Sequence, residues 1–275
     1  MATVDDARSS IVMREQGTWR PAASRPAITI VIPAWNEERV LGLCLEAVTS
    51  QSLPLPYEVL VVDNCSDDAT ALIAASFSCR LIHVSTAGQL LAKRAGVLAA
   101  RSDLVVILDA DCVAPPGWLL HIYQALREAP QVAAVTCCYR FAGLPAWARL
   151  YVFLVQTVLV GFYRVFFRSM PFILGGNVAF RRESCLGGEG YPVSGGIAQT
   201  ELGLARLLHR SGRIHYLPGM EVESSPRRFL EGPWSFLFRY KVQDYFLPYV
   251  RSRAGAKRFL PASRTLADDT GRSGT

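Results

Sequence analysis

Two carboxylates follow an apolar run near the middle of the chain. Residues 103–112 read DLVVILDADC, so Asp109 and Asp111, separated by one residue, follow directly on five apolar residues. Carboxylates this close repel each other unless a cation lies beside them. A hard divalent cation, Mg²⁺ or Mn²⁺, prefers carboxylate oxygens and commonly takes its other ligands from substrate phosphates. The pair therefore indicates a site for a metal-bound diphosphate. The alternative is that Asp109 and Asp111 only cap the following turn.

Two other strand-like runs also lead into polar groups. The run AITIVIPAW (residues 27–35) is followed by the polar residues 36–38, and the run YEVLVVDNC (residues 57–65) contains Asp63. Ligands of open α/β sheets bind outside the carboxyl ends of the strands. Because three strands deliver polar side chains to the same edge, we predict that this edge is the functional site.

Segments with helical apolar spacing alternate with the strand-like runs. Residues 37–51, 66–77 and 88–102 have this spacing, whereas residues 57–65, 79–85 and 103–111 are apolar on both faces. Strands of this kind are typical of a parallel sheet that is covered by helices. The sequence therefore predicts an α/β protein with helices on both faces of the sheet.

Composition limits the class of protein and of partner. The chain has 275 residues, of which 51% are hydrophobic, and this is enough for a sizeable core. A net charge of +6 favours an anionic partner, such as nucleotide phosphates, acidic lipid head groups or nucleic acid. None of the seven cysteines has C-x-x-C spacing, so we predict reduced thiols in a cytoplasmic protein.

Four motifs in order resemble one enzyme family. IVIPAWNEE, VLVVDNCSDD, AKRAG and ILDADC are together similar to the family 2 glycosyltransferases, and the resemblance extends over residues 27–230. It implies a GT-A type, Rossmann-like mixed sheet with helices on both faces. It also implies a nucleotide-sugar donor, Mg²⁺ or Mn²⁺ as cofactor, and inverting transfer of the hexosyltransferase type, with no nucleic acid as partner.

The resemblance assigns roles to individual residues. Asp111 would be the direct metal ligand and Asp109 would lie near both the metal and the ribose, while Asp63 would accept a hydrogen bond from the base. For Asn177, a turn before a strand is the alternative to contact with a sugar hydroxyl, and for the two adjacent arginines a solvated surface is the alternative to a clamp on the diphosphate. The implied donor-binding residues are Pro33, Ala34, Glu37, Asp63, Lys93, Asp109, Asn177, Arg227 and Arg228.

The family's catalytic base is an acidic residue at the opening of a helix. The matching stretch here is GGIAQTELGLARLLHRSG, in which Glu201 is the carboxylate; a second alignment places Gln199 at the position of the base. Inverting transfer needs a base for the proton of the acceptor hydroxyl, and Glu201 can accept it. A first-turn glutamate that stabilises the helix dipole is the alternative role.

The ends of the chain and two aromatic-rich segments bear on location. We predict a flexible arm (1–26), a GT-A domain (27–232) with a nucleotide-binding half (27–138) and an acceptor half (139–232), an amphipathic helical extension (233–260) and a flexible tail (261–275). Residues 150–163 are apolar but too few for a confident span, and residues 234–259 mix aromatic rings with six Lys or Arg. We therefore expect a peripheral protein on the anionic inner face of the cell membrane, with a lipid-linked acceptor; buried helices are the alternative for both segments.

Two other functions remain open at this point. A sugar-nucleotide pyrophosphorylase shares the fold, but it normally has a Gly-rich basic loop where this chain has PAWNEE. A non-catalytic nucleotide-sugar-binding protein is the other alternative, if Glu201 is not the base.

Overall fold

The computed structural model describes residues 2–4, 11–16, 24–141, 143–150, 154, 173, 175–186, 191–192 and 197–227. Four parts of the predictions lie outside these residues: Arg228, the helical extension 233–260, the tail 261–275 and most of the apolar segment 150–163. All seven cysteines lie within them, and all seven are free thiols.

Strands and helices alternate through the first half of the chain. The strands are β1 (Ala2–Val4), β2 (Ile11–Gln16), β3 (Thr29–Ala34), β4 (Glu58–Asp63), β5 (Arg80–Val84), β6 (Leu104–Leu108), β7 (Cys112–Val113), β8 (Val132–Phe141), β9 (Asn177–Arg181) and β10 (Arg213–Ser224). The helices are α1 (Leu41–Thr49), α2 (Thr70–Ala75), α3 (Gln89–Ala99), α4 (Trp118–Glu128), α5 (Arg182–Leu186) and α6 (Ile197–Ser211), and residues 146–150 and 154 are also helical.

The described strands form one mixed sheet in the order β1-β2-β5-β4-β3-β6-β9-β8-β10-β7. Strands β5, β4, β3 and β6 run parallel, as the apolar runs predict. Strand β9 is antiparallel to both β6 and β8, and β10 runs parallel to β8. The predicted α/β class with a GT-A type mixed sheet is confirmed.

Each face of the sheet carries its own hydrophobic core. In β4, Val59 and Val61 contribute to a core with α1, α2 and α4, whereas Leu60 and Val62 contribute to a core with α3 and α6. All six residues of β4 are buried, so the strand contacts helices on both sides. This burial explains why the central strands are continuous apolar runs.

The predicted flexible arm is wrong for two segments of residues 1–26. Strand β2 pairs antiparallel with β5, and β1 pairs with β2. Met13 is buried in the core beneath, and Glu15 accepts a hydrogen bond from Arg80 at 2.9 Å. These strands cover the edge of β5, which would otherwise expose unpaired backbone groups.

No helix among the residues described is both long and apolar enough to cross a membrane.

Candidate active site

The two carboxylates at the end of β6 lie at the carboxyl edge of the sheet. The strand ends at Leu108, and the backbone N–H of Asp109 donates to the carbonyl of Gly176 at 2.9 Å. Strand β7 then pairs with the end of β10, and the N–H of Ser225 donates to the carbonyl of Asp111 at 3.0 Å. The Asp109–Asp111 loop is therefore held between two strands, with both side chains partly exposed.

Two consecutive glycines bring Asp109 and Glu201 together. A Cβ atom at Gly176 would collide with the Asp109 carboxylate, and one at Gly175 would collide with the Glu201 carboxylate. Only glycine leaves room for both carboxylates against this backbone. Two acids that are 92 residues apart in the chain thus occupy neighbouring places beside one short segment.

Glu201 is the fifth residue of α6, and the first turn of that helix has no acidic residue. Glu201 therefore does not have the alternative role of a first-turn glutamate that stabilises the helix dipole. The side chain of Gln199, the alternative in the sequence, lies outside the description.

Two tyrosines, Tyr191 buried and Tyr139 partly buried, lie close to the grouped carboxylates. The pKa of Tyr139 is raised well above its usual value, first by burial and then by Cys112, Asp109, Glu201 and Asp111. The pKa of Tyr191 is likewise raised, mainly by burial. Both rings therefore remain protonated phenols at neutral pH, next to carboxylates from the β6 end and from α6.

Lys93 lies beneath this group rather than on its surface. Its side chain is only 4% exposed, and Nζ is 2.9 Å from Oδ1 of Asp109. Nζ also donates to the carbonyl of Gly175 at 3.0 Å. Lys93, a predicted donor-binding residue, therefore contacts the carboxylate of Asp109.

Asp63 ends β4 at the same edge and is held by a residue that the sequence prediction missed. Its Oδ2 is 2.7 Å from Nδ1 of His83 on the adjacent strand β5, and its Oδ1 accepts a bond from the N–H of Ser66. Asp63 and His83 are cross-strand partners, so their side chains emerge on the same face. No signal in the sequence singles out His83, because it reads as an ordinary strand residue.

The loops after β3 and β4 are joined by hydrogen bonds. The backbone N–H groups of residues 36–38 donate to Ser66, Thr70 and Asp68 at 2.9–3.1 Å. Asn36 has a positive φ of 54°, which asparagine tolerates better than most residues. Pro33 and Ala34 end β3 beside these loops, and Ala34 is buried in the core, so its backbone forms this part of the edge.

The segment after β10 closes the opposite side of the edge. Nη2 of Arg227 donates to both carboxylate oxygens of Glu37, at 3.0 and 2.8 Å. The structure therefore places these two predicted donor-binding residues in contact with each other. Asn177 is buried at the start of β9, and its amide donates to the carbonyl of Cys137 at 3.5 Å.

The residues present fit a divalent cation that is shared with a diphosphate. Among the residues described, no group of three or more His, Cys, Asp or Glu side chains could hold a metal alone. Asp111 and Asp109 supply oxygen ligands of the kind that Mg²⁺ and Mn²⁺ prefer, and substrate phosphates commonly complete such sites. Oδ1 of Asp109 is occupied by Lys93, so Asp111 is the better candidate for direct ligation.

The fold and its edge define a GT-A protein. A profile described as Glycosyl transferase family 2 matches residues 29–187, which is more than half of the chain. The chain belongs to this family.

Two characterised relatives match parts of the chain. Glycosyltransferase AglE of Haloferax volcanii is 39% identical over 101 residues, which are 34% of this chain and 33% of that protein. Undecaprenyl-phosphate 4-deoxy-4-formamido-L-arabinose transferase of Aeromonas hydrophila is 36% identical over 114 residues, which are 38% of this chain and 35% of that protein. The chain thus spans about a third of the length of the curated relatives it matches.

Solved structures share the fold at low sequence identity. The mannosyltransferase PcManGT of Pyrobaculum calidifontis, in complex with GDP-Man and Mn²⁺, aligns with a TM-score of 0.61 at 20% identity and covers 85% of this chain and 67% of its own. Glucosyl-3-phosphoglycerate synthase of Mycobacterium tuberculosis, in complex with Mg²⁺ and UDP, aligns at 0.51 with 18% identity and 77% coverage of each chain.

Proposed function

We propose that this chain is an inverting glycosyltransferase of the hexosyltransferase type, which moves a sugar from a nucleotide diphosphate to an acceptor hydroxyl. The observation that carries the proposal is the contact of Asp109 and Glu201 with consecutive glycines at the carboxyl edge. One carboxylate belongs to the metal–diphosphate side of the reaction and the other to the acceptor side. Their proximity lets one site act on both substrates.

Glu201 is the proposed general base. The acceptor oxygen attacks the anomeric carbon, Glu201 takes the hydroxyl proton, and the bond from that carbon to the diphosphate oxygen breaks. The electron pair of the broken bond leaves with the nucleotide diphosphate. A carboxylate can accept this proton, whereas the amide of Gln199 cannot serve as a base at neutral pH.

Asp111, assisted by Asp109, is the proposed metal site. A bound Mg²⁺ or Mn²⁺ would neutralise negative charge on the diphosphate as it leaves. Two of the structural neighbours, which share the fold, were solved with Mn²⁺ or Mg²⁺ and a nucleotide.

Arg227 is proposed to assist the leaving group. Its guanidinium lies in the segment that is fixed to the Asp111 carbonyl through Ser225, so it reaches the same edge. Arg227 donates to Glu37, and a diphosphate would compete for the same N–H groups. Arg228 follows it in the sequence and keeps its proposed donor-binding role.

The nucleoside would lie between the loops after β3 and β4. Asp63 is the proposed acceptor for a base N–H, next to Pro33, Ala34 and Glu37. Asn177, at the start of β9, is proposed to reach a sugar hydroxyl. Preassembled loops of this kind lower the entropic cost of binding.

The pyrophosphorylase alternative is less favoured by the same edge. The loop after β3 has no basic side chain among residues 35–38, and its N–H groups are bonded to the loop after β4. A non-catalytic binding protein would have no need for the Glu201 carboxylate beside Asp109.

A nucleotide screen tests the proposal directly. We expect nucleotide diphosphates to raise the melting temperature of the purified protein in the presence of Mn²⁺, because ligands that bind the native state stabilise it. The best-binding nucleotide then selects the sugar donors for a turnover assay, in which release of the nucleotide diphosphate is measured. A protein that no nucleotide diphosphate stabilises, with or without Mn²⁺, contradicts the proposal.

The acceptor is proposed to be lipid-linked, with the protein on the anionic inner face of the membrane. Trp147, Leu150 and Leu154 are 64%, 58% and 49% exposed, and Trp147 and Leu150, three residues apart in one helical segment, lie on the same helix face. A Cβ at Gly143 would lie 3.8 Å from Pro226, so the chain leads into this apolar face from beside Arg227. Several relatives, including the one from Aeromonas hydrophila, are undecaprenyl-phosphate transferases.

Removal of the exposed apolar face is expected to weaken membrane binding. The variant Trp147→Ser/Leu150→Ser should bind anionic vesicles less than the wild type, since each buried apolar side chain contributes about 1.5–3 kcal/mol. The measurement is co-sedimentation with vesicles of phosphatidylcholine and phosphatidylglycerol at low salt.

The control is Leu43→Ser/Leu72→Ser, which removes two exposed leucines from α1 and α2. Equal losses in both double variants, or a wild type that stays in the supernatant, would count against this surface.

A further inference from the structure

Lys93 has a place in the site that differs from direct contact with the donor. Its Nζ is buried and lies against two parts of the active site: Oδ1 of Asp109 at 2.9 Å and the carbonyl of Gly175 at 3.0 Å. We propose that Lys93 is a positioning residue that fixes Asp109 and the glycine pair relative to each other, and thereby sets where the Glu201 carboxylate lies. This inference rests on the proposed function.

Lys93 acts on Glu201 through the backbone of Gly175 rather than by direct contact. The Glu201 carboxylate lies so close to Gly175 that a Cβ there would collide with it, so the backbone of residue 175 forms the surface against which it packs. The carbonyl of the same residue accepts the bond from Lys93. If Gly175 moves, the surface against which the Glu201 carboxylate packs moves with it.

The positive charge of Lys93 also offsets repulsion among the carboxylates of the site. Asp109 and Glu201 lie against consecutive glycines, and Asp111 is two positions after Asp109, so three carboxylates share one small region. Like charges in such a region repel, and a cation beside one of them reduces that repulsion. Lys93 makes an ion pair with Asp109 that lacks the alignment of a hydrogen bond, which fits a role as a charge partner.

Burial distinguishes positioning from donor binding. The Lys93 side chain is enclosed by α3, the end of β6 and the segment before β9, and its ammonium group is directed to two protein oxygens. Arg94, the next residue, is equally buried, but its charge acts on Cys185 of α5. Arg80 of β5 offers a matched control, because its side chain is also nearly buried and its ion pairs are with Glu15 and Glu58.

The test compares Lys93→Met with Arg80→Met and with Lys93→Met/Asp109→Asn. We expect Lys93→Met to lower kcat by about 100-fold, because small misplacements of reacting groups cost this much. The donor KM should stay within about threefold of the wild type, since binding contacts common to substrate and transition state are kept. Arg80→Met should lower the melting temperature but leave kcat within about threefold, since the ion pairs of Arg80 are with Glu15 and Glu58, away from the carboxyl edge.

Melting temperatures of the ligand-free proteins provide a readout that is independent of turnover. Lys93→Met leaves the charge of Asp109 uncompensated in a partly buried place, so its melting temperature should fall. In the double variant the neutral amide removes that penalty, and the melting temperature should rise above that of Lys93→Met although activity stays low. If Lys93→Met does not fold, Lys93→Arg replaces it; the larger guanidinium keeps the charge but displaces the Gly175 carbonyl, and kcat should still fall.

Three results overturn the inference. A kcat close to that of the wild type in Lys93→Met, or in Lys93→Arg where that variant is used, assigns the lysine a purely structural role. A rise in KM with kcat unchanged assigns it to direct donor contact. No recovery of melting temperature in the double variant shows that Lys93 and Asp109 are not coupled. A wild type without turnover refutes the proposed function instead, and the melting temperatures still report on the coupling.

Discussion

Replacement of Glu201 by glutamine is expected to lower kcat by about 10²–10⁴-fold, the usual contribution of a general base. The amide has nearly the shape of the carboxylate, so its packing against Gly175 should be kept. It cannot take the proton of the acceptor hydroxyl. Affinity for the nucleotide diphosphate should therefore change little, because the donor is bound before the proton is transferred.

The matched control for this variant is Glu183→Gln in α5. Glu183 is also a helical glutamate, but it is exposed, and it lies in the first turn, where Glu201 does not. Steady-state turnover and calorimetric binding of the nucleotide diphosphate with Mn²⁺ would be measured for both variants. A loss of nucleotide binding as large as the loss of kcat would show that Glu201 contacts the donor, and the base would have to be sought elsewhere.

The central sheet was predictable because its strands are buried on both faces. In β3, β4 and β6 every residue is buried, and local hydrophobicity alone marks such runs. Strand β2 was not predictable in this way. Its residues IVMREQ are half polar, and it forms because β5 supplies a pairing partner and Arg80 an ion pair with Glu15.

The sequence was sufficient to predict which residues lie at the carboxyl edge, but not which residues their side chains contact. Strand ends in a parallel sheet meet at one edge, so Asp63, Asp109 and Asp111 could be placed there from the sequence. What each side chain binds depends on distant residues: Asp63 on His83, Asp109 on Lys93, and Glu37 on Arg227, which follows it by 190 positions. Single-sequence patterns carry no information on such pairs.

The predicted membrane association illustrates a different limit. Hydropathy marks residues 150–163 as apolar, but it does not tell a helix that is buried from one that is exposed. Exposure of Leu150 and Leu154 supplies that distinction for these two residues of the segment.

Replacement of Asp111 by asparagine is expected to abolish the stabilisation that Mn²⁺ adds to nucleotide-diphosphate binding. The amide removes the charge that attracts the cation but keeps the shape of the side chain, and the bond from the N–H of Ser225 goes to the backbone carbonyl of Asp111. The fold should therefore be intact. Because Asp109 is already paired with Lys93, it cannot fully replace the lost ligand, and the metal-dependent affinity should fall by at least about 10–100-fold.

The control variant is Asp103→Asn at the other end of the same strand. Asp103 precedes β6 as Asp111 follows it, and its exposed ion pair with Arg25 at 2.7 Å contributes about 0–1 kcal/mol. Thermal-shift curves with nucleotide diphosphate, in Mn²⁺ and in a chelator, would be compared for the wild type and both variants. We expect the Mn²⁺-dependent shift in Asp103→Asn and in the wild type but not in Asp111→Asn. A shift that persists in Asp111→Asn removes this residue from the metal site.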